Sequence, residues 1–134
     1  MTFKEYCDSL EGKIISSYEN SITMSEAEKL AAEFLSAQLQ ASRQLATQDL
    51  DARMRRSGVK AIKAAVYLEE IKRHDKKPTE SQLAATIDSM DIVNGEQTRL
   101  DEAEVRRDEL ERMFNVFSAA HVYYRNIAKG GFGT

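Results

Sequence analysis

Arg53, Arg56, Lys60, Lys63 and Tyr67 follow one another at spacings of 3, 4, 3 and 4 residues. On a helix this spacing lines them along one face. Four cations and a phenol then point the same way, and no acidic residue lies between Asp51 and Glu69 to neutralise them locally. Arg56 and Lys60, four apart, repel each other by a few tenths of a kcal/mol, roughly. An anion outside the helix relieves that repulsion. The chemistry such a row supports is phosphate contact, with Tyr67 placed to stack on a nucleic-acid base. Asp49 and Asp51 stand four residues before Arg53 and Arg55 and are expected to pair with them. Arg56, Lys60 and Lys63 have no acid three or four residues away on either side. Two other readings of the stripe stay open: pairing with the acidic 101–111 region, in the same chain or another, and an ordinary solvated face.

Lys72, Arg73, His74, Lys76 and Lys77 form a second basic patch. It falls where a helix is expected to end, so it suits either the helix macrodipole or phosphate contact. His121 lies on an apolar seam and reads as a buried, hydrogen-bonded side chain. His74, His121 and Cys7 are far apart in the sequence, and the acidic run 101–111 has no Glu-x-x-His pattern, so no metal site is expected. Neither a phosphate-binding glycine loop nor a nucleophile motif occurs. The chain is read as a non-enzyme that needs no cofactor. Residues 123–133 mix aromatics, Arg125, Lys129 and glycines, which suits either single-strand contact or a fraying helix end.

The elements that must position these groups are helices. The 134 residues are 42% hydrophobic and 31% charged, with one Pro and no Trp, a composition suited to one helical domain with a modest core. Net charge is −3, yet residues 53–77 carry nine Lys/Arg against three acids, and residues 80–111 carry three against ten. This segregation calls for an acidic partner or for self-association. Cys7 is the only cysteine, which excludes an intramolecular disulfide and suits a cytoplasmic location. Neither a leader sequence nor a membrane span is expected, because the first residues are acidic and no 18-residue apolar run exists.

Thr2–Glu5 reads as a capping box that opens a helix over 3–18. Ser25–Glu28 reads as a second, opening a long basic helix over 26–74. That helix is too long for a compact domain, so it is expected either to break near Ser57–Gly58 or to extend against partners. A third box, Thr79–Gln82, follows Pro78 and opens a short helix over 79–90. Asn94–Gly95 is a joint or kink, though a helix can run through it. The last helix covers 97–128, with Leu100, Ala103, Arg107, Leu110, Phe114, Phe117, His121, Tyr124 and Ala128 in a heptad seam. Glu102/Arg106 and Asp108/Arg112 are expected ion pairs on its surface. Residues 129–134 form a flexible tail. The fold class is all-α, an extended helical hairpin or bundle with two long and two short helices, completed by oligomerisation through Leu110, Phe114, Phe117, His121 and Tyr124.

The central segment from Arg53 to Leu68, with its Lys60-Ala61-x-Lys63-Ala64 core followed by Tyr67, resembles the DNA-contacting stretch of the UvsY-type recombination mediators of phages. The aromatic helix from Leu110 to Ala128 is similar in placement to that family's oligomerisation helix. The Lys77–Glu80 turn and the glycine-rich end depart from the pattern. The resemblance implies a homo-oligomer that binds single-stranded DNA. It would help a RecA-like recombinase displace single-strand-binding protein in the host cytoplasm. Arg56, Lys60 and Lys63 would contact phosphates, with Tyr67 as stacking platform; Arg53, Arg55, Lys72 and Arg73 are further candidate nucleic-acid-binding residues by their charge. The rival expectation is a non-enzymatic structural or interaction protein, either a phage assembly component or an inhibitor of a nucleic-acid enzyme. In it the basic stripe binds an acidic protein patch.

Overall fold

The computed structural model describes all residues except Asp75, Lys77 and 131–134, so Lys77 and the glycine-rich tail lie outside the described residues. The fold is all-α. Helix α1 spans Phe3–Glu19, α2 Met24–Arg73, α3 Glu80–Asp88 and α4 Asp91–Ala128, with no strand among the described residues.

The helix starts follow side-chain capping. At α1 the Glu5 N–H donates to Thr2 Oγ1 at 3.1 Å, and the Thr2 N–H donates back to the Glu5 carboxylate at 3.3 Å. Thr79 and Gln82 make the same reciprocal pair at α3, at 3.2 and 3.0 Å. Each box satisfies donors that the first turn leaves orphaned.

The start of α2 corrects the sequence expectation. The cap is Thr23, whose Oγ1 accepts the Glu26 N–H at 3.1 Å, and not Ser25. Thr23-Met24-Ser25-Glu26 also fits the capping pattern. Starting there places Ala27 within the first turns, where it is fully buried.

From Met24 the helix runs 50 residues to Arg73 without a break. Gly58 does not interrupt it, because Val59 beside it is 5% exposed, anchored in a core, and Arg55, Arg56, Lys60 and Ala61 on either side favour helix. Likewise α4 starts six residues before Gln97 and runs through Asn94–Gly95. Val93, 2% exposed, fixes its first turn, and the Asn94 N–H bonds to Met90 O at 2.9 Å. In return α3 is shorter than expected. Its end tightens at Ser89, whose N–H reaches both Ala85 O and Thr86 O at 3.2 and 3.3 Å. Gly130 ends α4 with φ of 71°, the left-handed geometry that glycine adopts without a Cβ penalty.

The chain splits into two compact units, Met1–Leu45 with Glu109–Thr134, and Ala46–Asp108. In the first, Phe34 of α2 stacks on Tyr124 of α4 with centroids 5.5 Å apart and meets Phe117 at 5.9 Å. Ala31, Ala37 and Ala41 are buried beside them, and small side chains let the helices approach closely. Cys7 and Leu10 of α1 close this core. The Tyr124 hydroxyl, which would be costly to bury alone, hydrogen-bonds Ser17 of α1. His121 donates from Nδ1 to the Ala31 carbonyl at 2.8 Å, the hydrogen-bonded role expected of it.

Of the seam expected to join chains, two residues are taken up inside this chain's own core. Phe117 and Tyr124 are fully buried, and Leu110, Phe114 and His121 are half-buried. In the second unit Ala52, Val59, Leu83, Ile87, Val93, Leu100 and Ala103 are buried. There α2 and α4 run antiparallel, since Asp49 meets Arg107, Asp51 meets Arg106 and Arg56 meets Glu104.

A Cβ added at Gly58 meets no atom within 4 Å. Gly58→Ala is therefore expected to stabilise the protein by about 0.8–1 kcal/mol through helix propensity alone. Denaturant unfolding followed by circular dichroism checks this, and a loss of stability would show that α2 needs the glycine.

Candidate nucleic-acid interface

The stripe sits where continuous helix puts it, in the second unit, and each member's surroundings can be followed along α2. Arg53 and Arg55 pair with Asp49 and Asp51 at 2.9 and 3.2 Å, the two local pairs that the spacing predicts. Arg56 reaches across to Glu104 of α4 at 2.8 Å. Lys63 lies 3.6 Å from Asp88 of α3. The Tyr67 hydroxyl donates to Glu80 of α3 at 3.2 Å. Lys60 is exposed and has no ion-pair partner among the described residues. Within the stripe Arg53 is thus answered by Asp49 of α2, and α3 and α4 supply carboxylates to Arg56, Lys63 and Tyr67.

Two expected pairs on α4 are corrected. Arg106 turns to α2, with Asp51 at 3.8 Å and Gln48 at 3.4 Å, rather than to Glu102. Arg112 turns to Glu11 of α1 at 3.6 Å rather than to Asp108, which is held by Arg107 at 2.8 Å. The reason is the same in both. A cation on the rim of a helix-helix contact finds acids on its own helix and on the next, and the tertiary neighbour competes on equal terms with an i, i+4 partner. Asp108 also holds the Arg107 guanidinium above its ordinary pKa.

The second basic patch is organised by a residue that the sequence reading passed over. Glu70 has a side chain only 8% exposed and receives Arg73 and His74, each at 3.4 Å. It sits four residues after Val66 on the α2 seam, a signal visible in the sequence. Lys72 is 4.0 Å from Glu69. Glu70, His74 and Lys76 line a groove with Pro78, Thr79 and Gln82. A second groove lies between α2 and α3, bounded by Lys63, Tyr67, Glu80 and Asp88.

Comparison with protein-family models, curated proteins and solved structures finds no match for this chain. Its chemistry therefore has to be read from the side chains. Among the described residues no group of three or more His, Cys, Asp or Glu is placed to hold a metal ion, and no helix is long and apolar enough to cross a membrane. Cys7 is a free thiol buried in the first unit's core. Burial, reinforced by the carboxylates of Glu11 and Asp8, pushes its thiol up to about 11.

Two outcomes follow. The folded state holds the Cys7 proton longer than the unfolded chain. The stability from a neutral buried thiol is therefore complete below the ordinary value of 9.0 and is lost as pH rises toward about 11. At pH 8, iodoacetamide should alkylate the native protein at least about tenfold more slowly than the unfolded chain, and equal rates would mean that α1 does not stay docked with Cys7 in the core. Secondly, Arg56 and Glu104 keep 44% and 35% of their side chains in solvent. A double-mutant cycle with Arg56→Ala and Glu104→Ala should give a coupling below about 1 kcal/mol that shrinks with added salt.

Proposed function

We propose that this chain is a non-enzymatic accessory protein that binds single-stranded nucleic acid along α2, in the manner of a recombination mediator. The observation that carries the reading is the unbroken helix that keeps Arg53, Arg56, Lys60 and Lys63 in phase, with Lys60 exposed and unpaired among the described residues. An arginine has five N–H donors, and one carboxylate leaves most of them free for phosphate. Such a surface gives affinity without base specificity. Tyr67 in the α2–α3 groove adds a ring on which a base can stack. Arg55, Lys72 and Arg73 add cations elsewhere around the same helix, each beside an acid of α2. A weak stripe of this kind gains most when several copies engage one strand, so self-association belongs to the proposal. The partners are single-stranded DNA and, by the same reading, a RecA-like recombinase and a single-strand-binding protein.

One observation favours a second reading. The carboxylates of Glu104 and Asp88 already satisfy Arg56 and Lys63. A stripe that finds acidic protein groups inside its own chain is also suited to an acidic patch on a neighbour, as an assembly protein would use it.

Fluorescence anisotropy of a labelled oligothymidylate over a salt series, beside a duplex of equal length, separates the two. The nucleic-acid reading expects single-strand preference, steep weakening with salt, and at least about a tenfold loss for Lys60→Glu at unchanged sedimentation mass. No binding at low salt by a protein of native helix content would end it. A mass change caused by Lys60→Glu would favour the assembly reading.

A further inference from the structure

Three groups of the basic stripe, Arg56, Lys63 and Tyr67, are held by Glu104, Asp88 and Glu80. None of these acids comes from α2. They arrive from 48, 25 and 13 residues away and converge on one face of one helix, on either side of Lys60. A carboxylate oxygen presents to a guanidinium, an ammonium or a phenol the same acceptor that a phosphodiester oxygen does. We propose that Glu104, Asp88 and Glu80 are built-in phosphate surrogates: they occupy the stripe in the free protein, and the phosphates of a bound strand displace them, with Lys60 as the first contact. The proposal rests on the nucleic-acid reading above and adds its regulation.

The energetics suit displacement. Side chains in the Arg56–Glu104 and Lys63–Asp88 pairs are between 35% and 66% exposed. Pairs of that exposure are worth about 0–1 kcal/mol, so a strand offering several phosphates overcomes them one at a time. The scaffold underneath is firmer. Leu83 and Ile87 are 2% and 6% exposed, and the Thr79–Gln82 capping box holds the first turn of α3. Burial of two such side chains outweighs the surface pairs, so α3 stays docked while its carboxylates swing into solvent. Lys60 needs no exchange, which makes it the place where binding begins.

Displacement also sets the salt dependence. Each phosphate that finds a bare cation releases one counterion to solution. A phosphate that evicts a carboxylate releases one and leaves the freed carboxylate to take a cation back. The wild-type dependence on salt is then shallower than Arg56, Lys60 and Lys63 imply, and neutralising the surrogates steepens it toward about −2 in log–log slope.

The test compares two triple variants in the oligothymidylate assay, each lacking three negative charges. Glu80→Gln, Asp88→Asn and Glu104→Gln remove the surrogates. Glu102→Gln, Glu109→Gln and Glu111→Gln remove three carboxylates that touch no member of the stripe. The surrogate variant should bind about tenfold more tightly with a steeper salt slope, and the control variant should change by less than about threefold. Asp88→Asn alone, which leaves the other two acids in place, should already tighten binding by about two- to threefold. Equal tightening by both triple variants would reduce the effect to net charge and overturn the proposal. Binding that Lys60→Glu abolishes but surrogate removal leaves unmoved would overturn the proposal while sparing the nucleic-acid reading. No binding by any of the proteins would end both.

Discussion

The uninterrupted phase of α2 is the constraint from which the molecule's other arrangements follow. A single helical period carried from Met24 to Arg73 decides which side chains share a face over the whole length. A break at Gly58 would let the residues on either side rotate independently. Without one, Arg53 and Arg56 stay in register with Lys60 and Lys63. In the first unit α2 buries Ala27, Phe34 and Ala41, and in the second Ala52, Val59 and Glu70. One helix therefore serves as core element in both compact units, and in the second it also displays the charged face.

The two units are held by different physics. In the first, Phe34, Phe117 and Tyr124 concentrate apolar area into a few large side chains, and buried alanines provide the close approach that these rings need. The polar ends of that core are answered individually: the Tyr124 hydroxyl by Ser17, and the His121 imidazole by the Ala31 carbonyl. The second unit has smaller buried side chains and a surface crossed by ion pairs. Because those pairs are half in water, they contribute little stability each and confer charge arrangement rather than rigidity.

Glu70 shows why a residue's type alone misleads. In sequence it is one of two adjacent acids in a basic segment. In the structure its side chain is nearly shut from solvent and fixes Arg73 and His74 beside the turn into α3. Burying a carboxylate is costly unless cations accompany it. Its partners lie three and four residues further on, so local helix geometry provides them without help from another element.

The amino-acid sequence by itself determined the helical class, the capping boxes at Thr2 and Thr79, the end of α4 at Gly130 and the seams of α2 and α4. These depend on interactions within a few residues: helix propensity, side-chain caps and a period of 3.6. It also determined that four cations and a tyrosine share one face. Tertiary structure decided the rest. It carried α2 through Gly58 and α4 through Asn94–Gly95, because buried neighbours such as Val59 and Val93 outweigh a local preference of about 1 kcal/mol. It filled the Phe117–Tyr124 seam from within the chain. It also brought Glu104, Asp88 and Glu80 to the stripe, a meeting that no spacing along α2 can encode, since those acids reach it only through the packing of α3 and α4.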